Sequence, residues 1–84
     1  MGKYTPLENY LRRQSLSTTQ VILTFAKIEE IIAPNKLPDG ARVYFTFWAN
    51  WGQGRSEAWI DAGWKTVMVD LENEKVRFKR REEV

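Results

Sequence analysis

The sequence predicts a small α+β domain, and a change of hydrophobic period along the chain is the main observation behind this prediction. Before residue 62 the apolar residues recur mostly at the three- and four-residue spacings of helices, whereas from Trp64 they alternate with polar residues as in strands. Of the 84 residues, 43% are hydrophobic and 29% are charged. A chain of this length and composition is expected to fold as a single domain, residues 1–84, around one core.

The sequence contains neither cysteine nor histidine, which argues against several classes of function. Cysteine-free chains have no disulfide framework and no thiolate metal site, so we expect a cytoplasmic protein. The absence of histidine removes the commonest general base and neutral metal ligand, and no D-x-D or E-x-x-E cluster of carboxylates stands beside a cleft-forming motif. No run approaches the eighteen apolar residues of a membrane span. We therefore expect a non-enzymatic protein with no catalytic residue, no metal, no cofactor and no membrane contact.

A helix-start signal and a β-branched run predict the first two elements. Thr5 is expected to cap a helix over residues 6–14, because Pro6 suits the first helical position and Glu8 can reach back to the cap. Residues 20–23 are short and β-branched, as in a buried or edge strand.

The segment between Thr24 and Pro34 is predicted to form a second helix that packs on the core. Thr24 is expected to cap it, and Pro34 ends it. Its apolar side chains share one face: Phe25, Ile28, Ile31 and Ile32.

Residues 41–50 fit two patterns, and periodicity alone does not decide between them. The strand pattern alternates Val43, Phe45 and Phe47. The helical pattern comprises Ala41, Tyr44, Phe45 and Trp48. We prefer the helix, because Asp39 can cap it and because of the family resemblance given below.

All four tryptophans lie between residues 47 and 64. Ser56 is expected to cap a short helix through Ala62, and Gly63 to end it in the left-handed conformation. Three of the tryptophans are expected in the core: Trp48, Trp59 and Trp64. Trp51 is expected either in the core or exposed for stacking, and Asn50 is interpreted as a turn or capping residue.

The C-terminal residues predict a β-hairpin with a basic face. Its first strand is expected to direct Val67, Val69 and Leu71 to one side, and Thr66, Met68 and Asp70 to the other. The turn falls at residues 71–74. The return strand is expected to bury Val76 and Phe78 and to expose Lys75, Arg77 and Lys79.

The chain contains six short motifs, in this order: KYTPLENYL, TFAKIEEII, LP followed by AR, WAN, SEAW with AGW, and VRFKR. Together they resemble a family of small prokaryotic domains with the pattern KYxPLxxYL, TFxxIE, LPxxA, WWxN, AWxxAGW and VxFxR. The match spans residues 3–80. Phe47 replaces the first tryptophan of WWxN, and residues 51–54 replace a polar, histidine-containing stretch. The resemblance implies a small α+β domain with a nucleic-acid connection and brings no established activity.

The element order, with three to four helices, one short strand and a C-terminal hairpin, is typical of a winged-helix-like domain. In such a domain a helix before the hairpin enters the major groove of duplex DNA. The helix end is then expected to present Gln53, Arg55 and Ser56 to bases or phosphate. The remaining phosphate contacts are assigned to Lys65, Arg77, Lys79 and Arg80. Net charge is only +2, but five of the seven residues from 75 to 81 are basic.

Three alternatives remain open at this point. The basic hairpin face can simply be solvated. An exposed Trp51 beside Arg55 favours unpaired or flipped bases over a duplex groove. The domain can instead be a protein-interaction or homodimerisation module that uses aromatic surface around Phe45, Phe47 and Trp51.

Overall fold

The computed structural model describes residues 2–50 and 55–81. Its elements follow in this order: α1 (Thr5–Arg12), β1 (Gln20–Thr24), α2 (Phe25–Ile32), α3 (Gly40–Val43), a 3-10 helix (Phe45–Trp48), α4 (Arg55–Ile60), β2 (Trp64–Asp70) and β3 (Lys75–Arg80). Four helices and a three-stranded sheet confirm the predicted α+β class. None of the helices in the described ranges is long and apolar enough to cross a membrane.

The sheet is antiparallel, with strand order β1-β3-β2. The predicted hairpin forms β2 and β3, and β1 pairs with the free side of β3, so that Leu23 lies opposite Val76. Leu23, Val76 and Phe78 are buried on the face that packs against the helices. The other face, here called the outer face, is open to solvent, because Ile22 on it is 58% exposed.

A β-bulge interrupts β2 between Thr66 and Met68. The extra residue reverses the pleat, so Thr66 is buried with Val69 packed against the same core, while Val67 is exposed. The prediction that Val67 and Val69 share a face is therefore wrong. Strict alternation holds only where the ladder has no insertion.

The predicted burial of three tryptophans is confirmed, since Trp48, Trp59 and Trp64 are almost fully inaccessible. Aromatic rings form a continuous row through the core: Phe25 lies 5.3 Å from Trp48, Trp48 lies 5.9 Å from Trp59, and Trp59 lies 5.7 Å from Phe78. This row joins α2, the 3-10 helix, α4 and β3. Trp51 lies outside the described residues.

Among the predicted helix signals, those of Thr24 and Gly63 are confirmed, and those of Thr5 and Asp39 are wrong. The hydroxyl of Thr24 accepts the backbone N–H of Lys27 at 3.0 Å, and Gly63 has φ +89°. The hydroxyl of Thr5 instead accepts the backbone N–H of Gly2, because α1 starts at Thr5 itself. The side chain of Asp39 makes no cap hydrogen bond to α3.

The helical interpretation of residues 41–50 is confirmed only in part. Tyr44 is extended, with φ −116° and ψ 114°, and separates α3 from the 3-10 helix. The break turns Phe47 and Trp48 into the core and leaves Tyr44 and Phe45 on the surface. Similarly, α4 begins at Arg55, so Ser56 lies inside its first turn and not before it.

Candidate nucleic-acid interface

The outer face of the sheet consists of three cross-strand rows. Each row takes one residue from β1, one from β3 and one from β2, in register. The rows are Gln20, Lys79 and Lys65, then Ile22, Arg77 and Met68, then Thr24, Lys75 and Asp70. The predicted direction of the basic β3 residues is confirmed, because they alternate with the buried Val76 and Phe78.

The outer face is strongly basic compared with the rest of the chain. It carries four cationic side chains and one carboxylate, whereas the whole chain has a net charge of +2. The ion pairs among the described residues involve Arg12, Lys27 and Arg42, and none of them uses a cation of the outer face. Within the described residues, the outer-face carboxylate Asp70 lies opposite Lys75, and the three other cations have no ion-pair partner. We call Lys65, Arg77 and Lys79 the cationic patch.

Lys65 and Lys79 lie directly opposite each other on neighbouring strands. Like charges at paired positions destabilise a sheet by roughly 0.2–1 kcal/mol relative to a neutral pair. Both side chains are exposed, so water and salt moderate this repulsion. An anion bound between them would remove it.

Arg77 occupies the centre of the outer face, between Ile22 and Met68. Its Nε is buried and has no hydrogen-bond partner among the described residues. Arg77 is half-buried at this position, and its planar guanidinium suits a phosphate or carboxylate ligand better than an ammonium does. The terminal nitrogens of Arg77, and not its buried Nε, are therefore the candidate anion ligands at the centre of the patch.

The hairpin turn has the opposite charge. It carries Asp70, Glu72 and Glu74. The side-chain amide and the backbone N–H of Asn73 donate to the carboxylate of Asp70 at 2.8 and 3.0 Å, and these bonds lower the pKa of Asp70 below 3.8. Glu74 pairs with Arg42 at 3.5 Å, and the other two carboxylates leave this end of the hairpin acidic, so it is a poor phosphate-binding wing.

Arg80 is placed apart from the cationic patch. Its guanidinium donates to the carbonyl oxygens of Thr18 and Ser15 at 3.1 and 2.9 Å and lies 4.4 Å from the ring centroid of Trp64. These contacts tie the end of β3 to the connection between α1 and β1. The contacts of Arg80 therefore stabilise the fold, and they lie on the helical side of the sheet.

The body of α4 also lies on the helical side. Ala58 and Trp59 are buried there, and Trp59 packs on Phe78. A winged-helix domain that uses both elements on one DNA duplex needs them on the same side, whereas here the body of α4 and the basic hairpin face lie on opposite sides of the sheet. Gln53 lies outside the described residues, as do the side chains of Arg55 and Ser56.

Sequence reasoning underestimated Asn50, which joins the 3-10 helix region to β2 and α4. Its Oδ1 accepts the backbone N–H of Thr66 at 2.7 Å and the indole N–H of Trp59 at 3.1 Å. Its Nδ2 donates to the carbonyl oxygen of Thr66 at 2.8 Å, and the hydroxyl of Thr66 donates to the carbonyl oxygen of Trp48 at 2.6 Å. Asn50 thus pairs with a strand as a backbone group would. The WAN motif was the available signal for it.

An apolar groove of about 310 Å³ adjoins the outer face. It lies between the 3-10 helix and the bulged part of β2. Its lining comprises Phe45, Thr46, Trp48, Ala49, Asn50, Thr66, Val67, Met68 and Val69. Phe47, which was expected on this aromatic surface, is buried and stacks edge-on against Trp48, so that part of the prediction is wrong.

The sequence model of a family described as a domain of unknown function, DUF7662, matches residues 4–81. The chain belongs to this family. Every described helix and strand of this DUF7662 domain, from α1 to β3, lies within the matched range. The membership agrees with the resemblance to a family of small domains. No curated protein and no solved structure matches the chain significantly.

Proposed function

We propose that this domain binds nucleic acid and that the cationic patch on the outer face contacts the phosphates. The observation that carries the proposal is the concentration of Lys65, Arg77 and Lys79 on one open sheet face without ion-pair partners among the described residues. Polyanion binding depends mainly on such phosphate contacts. A phosphate between Lys65 and Lys79 would also relieve their repulsion.

The charge distribution favours the sheet face over a groove-inserting helix with a wing. The hairpin turn is acidic, and α4 has six residues with its body behind the sheet. Duplex recognition through the start of α4 stays a prediction. Arg55→Ala tests it, because loss of a base contact should change sequence preference, whereas loss of a phosphate contact weakens all sequences alike.

Fluorescence anisotropy with labelled oligonucleotides, titrated at several salt concentrations, tests the proposal directly. Contacts to about three phosphates predict a slope of log affinity against log salt of roughly −2 to −3. Affinity should therefore fall roughly 15- to 60-fold between 50 and 200 mM salt. Lys79→Glu should lower the affinity at least tenfold at low salt.

The matched control is Lys36→Glu, which changes the net charge equally on an exposed loop between α2 and α3 that is not part of the outer face. Lys79→Glu is expected to leave the fold intact, because it places a carboxylate opposite Lys65 and replaces repulsion with attraction. Equal loss of affinity in the two variants would mean that only net charge matters. Absence of binding at low salt would refute the proposal.

A protein-interaction role is the second candidate, and one observation favours it. Val43, Tyr44 and Phe45 form a consecutive apolar run on the surface, with exposures of 59, 64 and 70%. Adjacent exposed apolar side chains of this kind occur at protein interfaces. Sedimentation equilibrium distinguishes the two roles. A dimer that dissociates in Tyr44→Ser and is insensitive to salt would favour the protein interface.

A further inference from the structure

The apolar groove and the cationic patch are continuous. Met68 lines the groove, and it is also the cross-strand partner of Arg77. Paired strands lie about 4.8 Å apart, so an anion on Arg77 lies close to the groove entrance. The wall opposite β2 carries Phe45, whose ring is 70% exposed.

We propose that this groove receives an unpaired base of a single-stranded nucleic acid whose phosphates lie on the cationic patch. The inference rests on the proposed function and specifies its ligand. Unstacked bases bind by stacking on aromatic and apolar side chains, while cationic groups follow the backbone. The groove provides the apolar contact and the patch provides the cationic contact, and the two surfaces adjoin each other, so one nucleotide can occupy both.

The size and the polarity of the groove suit a binding site for a nucleic-acid base that discriminates little between the four bases. A volume of about 310 Å³ is at the lower end for ligand pockets and suits a ring-sized group. Asn50 and Thr66 in its lining already bond to each other, and Thr66 also bonds to the carbonyl oxygen of Trp48. Few hydrogen-bonding groups are thus left for reading base edges. We expect stacking with weak base preference.

Charge decides against a second copy of this chain as the occupant. Docking of two outer faces would bring two cationic patches together, which is unfavourable. A neutral apolar segment would fill the groove but leave Arg77 and its neighbours without counter-charge. A polyanion with flat apolar rings satisfies both surfaces.

The experiment compares three oligonucleotides of equal length with the full chain at 50 mM salt. One is single-stranded, one is single-stranded with abasic spacers, and one is a duplex. Stacking of one base should make the first bind roughly 5- to 150-fold more tightly than the abasic strand. Phe45→Ala should reduce its affinity towards the abasic level and leave the salt slope unchanged.

Tyr44→Ala is the matched control, because Tyr44 is similarly exposed but does not line the groove. Photo-crosslinking from a photoreactive base to residues 45–49 or 66–69 gives a second readout that does not depend on a variant. Equal affinity for the normal and abasic strands, or no effect of Phe45→Ala, would overturn the groove assignment and leave the phosphate interface standing. If none of the three oligonucleotides binds, the proposed function itself fails.

Discussion

Replacing Asn50 with alanine is expected to be one of the most damaging polar substitutions in the described part of the chain. It removes four hydrogen-bond contacts with distances of 2.7, 2.8, 2.9 and 3.1 Å, and leaves the N–H groups of Thr66 and Trp59 without a partner. Each part-buried bond contributes about 0.5–1.5 kcal/mol, so the free energy of unfolding should fall by roughly 2–4 kcal/mol. For a domain of this size that corresponds to a decrease in Tm of about 10–25 °C.

Thermal and urea unfolding followed by circular dichroism measure this loss, with Asn35→Ala as the control. Asn35 is exposed, and its side chain has no hydrogen bond among the described residues. Asn50→Asp refines the test, because it keeps the acceptors and loses the donor to the Thr66 carbonyl oxygen. Its deficit relative to the natural protein should shrink at acid pH, where protonation restores a donor. A loss below about 1 kcal/mol in Asn50→Ala would refute the structural role assigned to this residue.

Three further substitutions test individual features. Gly63→Ala should lower the free energy of unfolding, measured in urea, by about 1–2 kcal/mol. The cause is backbone strain alone, because φ is +89° and no atom lies within 4 Å of an added Cβ. An unchanged free energy of unfolding would contradict the left-handed turn. Thr24→Ala should cost about 1 kcal/mol and Thr24→Ser much less, since the hydroxyl caps α2. Asn73→Ala should raise the pKa of Asp70 towards 3.8 in an NMR titration. Because the pKa of Asp70 is lower in the folded than in the unfolded state, the ionised carboxylate stabilises the fold at pH values above the ordinary pKa of aspartate. This stabilisation should disappear as the pH falls through the lowered pKa.

The features predicted correctly from the sequence have local physical causes. The cap at Thr24, the left-handed Gly63 and the burial of Val76 and Phe78 follow from side chains and backbone within a few residues. The start of α1 was misassigned because the hydroxyl of Thr5 accepts the backbone N–H of Gly2, which precedes it, and does not cap the turn that follows. The break at Tyr44 depends on contacts of Trp48 with distant elements, which no local pattern encodes.

Of the candidate site, only the charged residues of β3 and the side of the sheet on which they lie could be predicted from the sequence. Alternation along β3 placed Arg77 and Lys79 away from the core, and the structure agrees. The neighbours of Arg77 were not predictable, because Ile22 arrives through the pairing of β1 with β3 and Met68 through a bulge that shifts the register. Both are long-range effects. The groove depends on the same bulge, since it exposes Val67 beside the 3-10 helix.

The described part of the chain has two buried side-chain nitrogen atoms without a hydrogen-bond partner, Nη1 of Arg42 and Nε of Arg77. On the helical side the buried polar groups of Asn50, Thr66 and Trp59 bond to one another. On the outer face Lys65 opposes Lys79, and the Nε of Arg77 lacks a partner among the described residues. Local costs of this kind in an otherwise consistent fold concentrate at functional sites. An anionic ligand between Lys65 and Lys79 would remove their repulsion, so binding should raise stability, and more so at low salt.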